Sequence, residues 1–364
     1  MKYKSLILTI NDYGNYGNRL QNYALNSILK KYGTVTTIYS SIDDNPQERN
    51  LIYRIKEVVK LLYSHFSSSE RALRYRKNHK AYKMSAKYVP DDSFSFSEKH
   101  GLVSKKTDCF DALVIGSDQV WNYKWLTKQG IGLRLGSFVS DEHPIVSYAA
   151  SFGVSEVEDD VKPIFQEYLP RLKAISVRED CGVELIKEMT GLDSTVVLDP
   201  TLMLASDKWL EITENFVSNG DKYVLTYFLG RPSDGQEQNI QAYAKAHGCR
   251  VRRMLDLRDK ETYVAGPQDF VELFSKAQYV FTDSYHACCF SILFHKQFTV
   301  FNRAGMTGKS SMNSRMETLF RLFDLDSVMM DSGLAPEIDY EKVDQLLEQH
   351  RKESRDWLDK AMEE

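Results

Sequence analysis

Val280 to Phe294 reads VFTDSYHACCFSILF. An apolar run stops at Asp283, Ser284, Tyr285 and His286, and a second apolar run follows at helical spacing. The pattern predicts a strand, a tight turn and a helix, the basic unit of a parallel α/β sheet. The imidazole falls where the helix begins. The first N–H groups of a helix have no partners within it, and its dipole is positive there, so such a turn attracts anions. His286 at that position can bind an anion, pass a proton, or do both. A turn histidine bonded to local backbone is the plainer reading.

The same rhythm runs along the whole chain. Short β-branched runs occur at Ser5–Ile10, Val35–Tyr39, Ala112–Ile115, Ile145–Ala149, Ile175–Val177 and Val196–Leu198. Others occur at Tyr223–Phe228, Arg250–Leu255, Tyr279–Thr282 and Phe298–Phe301. Most lead into turn residues and then a helical pattern, which predicts two Rossmann-like α/β domains with parallel sheets. A length of 364 residues also exceeds what one core usually supports. We place the first domain at 1–205 and the second at 206–337, with a polar stretch at Thr213–Lys222 near the break. The charged segment 338–364 reads as a helix packing back on the first domain.

Composition narrows the functional classes. Apolar residues are 42% and charged residues 27% of the chain, as in an ordinary globular protein, and the formal charge of -4 excludes a generally basic, nucleic-acid-coating protein. Five scattered cysteines without a CxxC pair indicate neither a disulfide framework nor a zinc site. Adjacent Cys288 and Cys289 read as small core residues. His65, His79, His100, His143, His247, His295 and His350 show no metal-ligand spacing, so no metal or cofactor is expected. There is no HExxH, GxSxG or P-loop motif. The start MKYKSLILTINDYG has too short an apolar stretch for a signal peptide, and no apolar run reaches membrane-spanning length. A reducing, cytoplasmic location is the expectation.

One segment departs in charge. Between Arg49 and Lys87 stand eleven Lys and Arg against Glu57 and Glu70, a local balance of +9, interleaved with Leu51, Ile52, Ile55, Val58, Val59, Leu62 and Tyr63. This reads as a basic helical insertion at about 49–90. It is either a solvated insertion or a basic surface facing anionic lipid headgroups or a diphosphate-linked acceptor.

Five polar clusters each follow the carboxyl end of a strand, where open α/β sheets bind ligands. In NDYGNYGNRLQ, Gly14 and Gly17 admit a close backbone approach, and Asn15, Asn18 and Arg19 add polar reach. The spacing is not GxGxxG, which argues against a dinucleotide. In GSDQVWN, Asp118, Gln119 and Asn122 offer hydrogen-bonding groups and Trp121 a flat wall, although Asp118 alone also reads as a helix N-cap. Ala150–Gly153 forms the third cluster. Arg178 ends a buried strand, either paired with Glu179 and Asp180 or gripping a carboxylate or phosphate with its fork. The fifth is Asp283–His286. The loop RAGMTGKSSMNSR, Arg303–Arg315, is basic and suits a cover over an anionic ligand, or an ordinary surface loop.

Taken in order from Asn15 to Phe301, the pieces NYGNRLQNYAL, ALVIGSDQVWN, ISVRE, VLDPTLML and FTDSYHACCFSILFHKQFTVF resemble the polysaccharide pyruvyl transferase family. Two positions depart from its pattern: Ala287 stands where the family usually has Gly, and Gln297 where it often has Pro. The resemblance implies a GT-B-like fold with the active cleft between domains, phosphoenolpyruvate as co-substrate, and a sugar hydroxyl pair of a surface or capsular polysaccharide precursor as acceptor. It places an arginine and a histidine of the family at Arg178 and His286.

Both lines together assign His286 to donor contact and proton transfer, Arg178 and Ser284 to donor binding, and Lys309 and Arg315 to the same task from the loop. Asp118 orients or deprotonates the acceptor, which Asn15, Asn18, Arg19, Gln119 and Trp121 surround. Alternatives are a GT-B-type glycosyltransferase using a nucleotide-sugar and a non-catalytic glycan-carrier-binding protein.

Overall fold

A computed structural model describes residues 3–41, 51–89, 91–97, 101–102, 110–218, 220–302 and 312–363. The first sheet contains β1 (Tyr3–Leu8), β2 (Gly33–Ser41), β3 (Asp91–Ser97), β4 (Gly101–Leu102), β5 (Ala112–Asp118), β6 (Ile145–Ala150), β7 (Ala174–Val177) and β8 (Thr195–Val196). Their order is β4-β3-β2-β1-β5-β6-β7-β8, parallel except for the β3–β4 pair. The second sheet contains β9 (Tyr223–Tyr227), β10 (Arg250–Met254), β11 (Tyr279–Thr282), β12 (Phe298–Phe301) and β13 (Met329–Met330), in the order β10-β9-β11-β12-β13, all parallel. The chain is therefore a two-domain α/β protein with parallel sheets.

Every residue of β5, β6, β9, β11 and β12 is buried, which is why these strands read as continuous apolar runs rather than alternating ones. The helix Tyr285–Leu293 is likewise buried all round, with Cys288 and Cys289 in its core. Strand order reverses between β1 and β5 in the first sheet and between β9 and β11 in the second. At such reversals the following connections part to opposite sides and leave a crevice at the carboxyl ends of the strands.

β5 runs three residues beyond the expected Ile115. Gly116 pairs with Tyr148 and Asp118 with Ala150 of β6, so the GSD of GSDQVWN belongs to the sheet. A side chain at Gly116 would meet the Tyr148 carbonyl oxygen at 2.1 Å, and its φ of +130° suits glycine. The short strands β3, β4 and β13 were not apparent from the sequence pattern.

The insertion between β2 and β3 folds as two helices, Leu51–Phe66 and Glu70–Tyr88, the second started by Ser69, whose hydroxyl accepts from the Ala72 N–H at 3.3 Å. This second helix touches both halves. Lys77 donates to the Gly14 carbonyl at 3.3 Å, and Lys80 pairs with Asp269 at 2.6 Å. The last helix, Tyr340–Glu363, lies against the first sheet through Leu358 and Met362, beside Ile7, Val114 and Tyr148. Its Arg351 donates to the Leu202 carbonyl and its Ser354 accepts from the Leu198 N–H. Gln297 binds the Ile338 backbone through both ends of its amide, at 2.8 and 3.1 Å, so this residue in place of proline fixes the segment leading into that helix.

Candidate active site

The carboxyl ends of the two sheets share a cleft. Asn15 and Asp118 reach it from the crevice of the first sheet, and Leu229 and Asp283–His286 reach it from that of the second. Gln119, Asn302 and Arg315 complete its polar lining. The helix Tyr16–Leu29 spans the junction: its Tyr16 hydroxyl donates to the Ala265 carbonyl at 2.7 Å, and its Gly17 backs directly onto the His286 ring. The N-termini of the helices Tyr16–Leu29 and Tyr285–Leu293 thus meet at the imidazole. Both contribute positive dipole ends there.

Beneath the cleft lies a buried ionic cluster. The Arg178 guanidinium, fully buried, donates to Asp199 Oδ2 at 2.8 Å and to Asp118 Oδ1 at 3.1 Å, and it stacks over the Tyr285 ring at 4.3 Å. Asp199 also accepts from the Ser117 hydroxyl and from the Thr201 N–H and hydroxyl. Its Oδ2 lies 3.7 Å from His286 Nε2, beyond hydrogen-bond length but close enough for a strong Coulombic contact. Burial alone would push both carboxyl groups up. For Asp118 the charges of Arg178, His286 and Arg315 outweigh it, and for Asp199 those of His286 and Arg178, so both lie below the ordinary carboxylate value.

Asp118 sits at φ +66°, a left-handed backbone uncommon for a residue other than glycine. That turn aims its carboxylate at Arg178 and at Asn18, whose amide donates to Oδ2 at 3.3 Å. Asn18 is held in turn by the Asp12 N–H and the Arg19 guanidinium.

Among the described residues, two buried nitrogens of cleft-lining side chains make no hydrogen bond: Arg315 Nε, and His286 Nε2, which has only the ionic contact with Asp199 at 3.7 Å. Buried donors left unpaired are costly, so their appearance together in a cleft marks a place for a ligand. Burial lowers the Arg315 guanidinium to about 10, and the like charge of Arg178 adds to that effect. The Gln119 amide packs against Gly153, whose φ of +59° and lack of Cβ leave room for it, and lies 2.7 Å from Arg315.

Several expected roles change. Arg178 pairs with Asp118 and Asp199, not with its sequence neighbours, and it does not line the cleft. Glu179 instead accepts from the Ser151 hydroxyl and the Phe152 and Gly153 N–H groups, and Asp180 pairs with Arg321. Trp121 forms no wall of the cleft: it is fully buried against Phe152, its indole N–H on the Arg134 carbonyl. Arg19 is buried, bound to Asn18 and to the Ile10 carbonyl, which makes it a support for the loop. Asn15 caps its helix, accepting from the Asn18 N–H, and Ser284 starts the helix bearing His286; both line the cleft. Lys309 lies outside the described residues.

Asp199 and Tyr285 carry no assigned role in the sequence reading. Asp199 precedes Pro200 and reads as a plain helix start, a role it does fill through Thr201. Its second oxygen faces Arg178 and His286 only because the strands bring them there. Among the described residues no three His, Cys, Asp or Glu side chains gather as a metal ion would require, and no helix is long and apolar enough to cross a membrane.

A family model described as polysaccharide pyruvyl transferase matches residues 15–305. No curated protein matches the chain in sequence. Solved structures similar to it include a UDP-GlcNAc 2-epimerase from Methanocaldococcus jannaschii (12% identity, TM-score 0.45, covering 95% of this chain and 91% of the other). Another is the UDP-GlcNAc 2-epimerase from Neisseria meningitidis bound to UDP-GlcNAc (13%, 0.42, 96% and 100%). A third is an α-glucosyltransferase in complex with UDP and DNA (11%, 0.40, 99% and 95%).

Proposed function

The chain belongs to the polysaccharide pyruvyl transferase family, and from that premise we propose that it moves the enolpyruvyl group of phosphoenolpyruvate onto two hydroxyls of one glycan sugar, forming a pyruvate ketal. The observation supporting this most directly is that His286, Arg315 and the Asp118 carboxylate line one cleft at the N-terminus of the helix Tyr285–Leu293, with Arg315 Nε making no hydrogen bond among the described residues. A trianionic enol phosphate needs cations and helix N-termini around it, a proton donor near its methylene carbon, and an acceptor for hydroxyl protons.

In this reading Arg315 and the N-terminus of Tyr285–Leu293 hold the phosphate and carboxylate of the donor. His286 gives a proton to the methylene carbon, which makes the neighbouring carbon electrophilic. A sugar hydroxyl oriented by Asp118 bonds to that carbon and releases its proton to the carboxylate. The second hydroxyl then forms the other C–O bond as the bond to phosphate breaks, its proton leaving with the phosphate. Arg178 does not grip the donor. It holds Asp118 and Asp199 in place and keeps them ionised. Asp199 stabilises charge at His286 from behind.

The test is incubation with phosphoenolpyruvate and a panel of lipid- and nucleotide-linked sugars, reading a pyruvyl mass gain and free phosphate together. His286→Ala is expected to abolish turnover while the protein still binds phosphoenolpyruvate in a thermal melt. Turnover unchanged in His286→Ala would sink the assignment. Protection by UDP or GDP in place of phosphoenolpyruvate would move the reading to a nucleotide-sugar transferase.

A further inference from the structure

The helix Leu51–Phe66 exposes its apolar side. Ile55, Val58, Val59, Leu62, Tyr63 and Phe66 repeat at spacings of three and four, so they share one helical face, and each is more than half exposed, Phe66 reaching 91%. A water-soluble surface rarely leaves so continuous an apolar stripe uncovered unless something docks on it. Lys56 and Lys60 flank the stripe, and exposed Arg71 and Arg74 lie on the next helix. Between the two helices a groove of about 550 Å³ brings Lys60, Arg71 and Arg74 together with Val59, Tyr63 and Tyr75.

We infer that this face docks on an anionic phospholipid surface, with the stripe entering the interface and the basic groove seating phosphate headgroups. An amphipathic helix with aromatic and aliphatic residues on one side and Lys and Arg at its borders binds in this way, and the apolar and electrostatic contributions reinforce each other. Charge complementarity selects this occupant over a second copy of the chain. Lys56, Lys60, Arg71 and Arg74 make this face basic in a protein whose formal charge is -4, so two such faces would repel while an anionic bilayer attracts and orients the molecule. The adjoining helix Glu70–Tyr88 continues to the cleft, where Lys77 binds the Gly14 carbonyl. A membrane-held substrate would then lie on the same side as the loop bearing Asn15.

The test is flotation of the full chain with phosphatidylcholine vesicles containing or lacking phosphatidylglycerol. The chain should float only with the anionic vesicles and be largely released by high salt. The double variant Leu62→Glu, Phe66→Glu changes exposed residues only, so its thermal melt should match the wild type while vesicle binding falls by roughly tenfold or more. Lys56→Glu with Lys60→Glu should remove the preference for anionic lipid. Failure to float with anionic vesicles overturns the inference, as does binding indifferent to the Glu substitutions. Sedimentation showing a dimer that Leu62→Glu, Phe66→Glu dissolves would assign the stripe to a second copy instead.

Discussion

Gly17 and His286 touch so closely that a Cβ placed on Gly17 would lie 2.2 Å from the imidazole Nδ1. The contact joins a helix of the first domain to one of the residues with which the second domain lines the cleft. Alanine favours a helix interior over glycine by about 1 kcal/mol, so Gly17→Ala should not loosen its own helix. It must push the ring aside instead. We expect Gly17→Ala to remain folded and to lose phosphate release from phosphoenolpyruvate by roughly a hundredfold, the usual consequence of moving a reacting group by about 1 Å. Parallel thermal melts and turnover assays check this, and full activity would show that the ring position does not matter.

The fully buried Arg178 answers two carboxylates at once. Arg178→Met leaves Asp118 and Asp199 buried with their shared cation removed, which typically costs about 3–5 kcal/mol. The urea midpoint should drop accordingly. Arg178→Lys keeps the charge but lacks a planar fork to reach both partners, so it should fall between the two. Equal stability of all three proteins would mean that the cluster contributes nothing net.

The same cluster sets a pH dependence. Asp118 and Asp199 are held below their ordinary value of 3.8 in the folded protein. The unfolded chain therefore binds protons first as pH falls. The stability they contribute is fully present above 3.8 and is lost as pH drops below it, toward the folded values. Urea midpoints taken from about pH 6 to about pH 3 should fall steeply at the acid end. The slope should be shallower in Asp199→Asn, whose side chain cannot titrate, even though that variant starts from lower stability. An unchanged slope would assign the acid limb to other carboxylates.

How much of this was legible beforehand depends on range. The strand–turn–helix at Tyr279–Leu293 follows from local periodicity and turn residues, and so do the two parallel sheets. The polar clusters at strand ends come together in one cleft because topology places those ends side by side. Partner choice was not legible. Glu179 adjoins Arg178 in sequence, yet alternation along the extended backbone sends it toward Ser151 and Gly153, while Asp199 arrives from twenty-one residues away. Trp121 was misplaced for a related reason. With Asp118 still in β5, the Val120–Trp121 step turns into the core instead of toward the cleft.

Among the described residues Arg315 is the arginine or lysine that lines the cleft, and burial has already weakened its hold on charge, to a value of about 10. An anion bound beside it relieves that penalty, so its removal should appear in donor affinity before anything else. A charge-assisted hydrogen bond is worth about 1.5–3 kcal/mol, which corresponds to a rise of roughly tenfold to a hundredfold in KM for phosphoenolpyruvate in Arg315→Ala. The expected change in kcat is smaller, because the chemistry is assigned to His286 and Asp118. Arg315→Lys should recover part of the affinity through charge without restoring the fork. Inorganic phosphate should raise the melting temperature of the wild type and leave that of Arg315→Ala nearly unmoved. If Arg315→Ala kept the wild-type KM and the same protection by phosphate, the donor would have to be held elsewhere in the cleft.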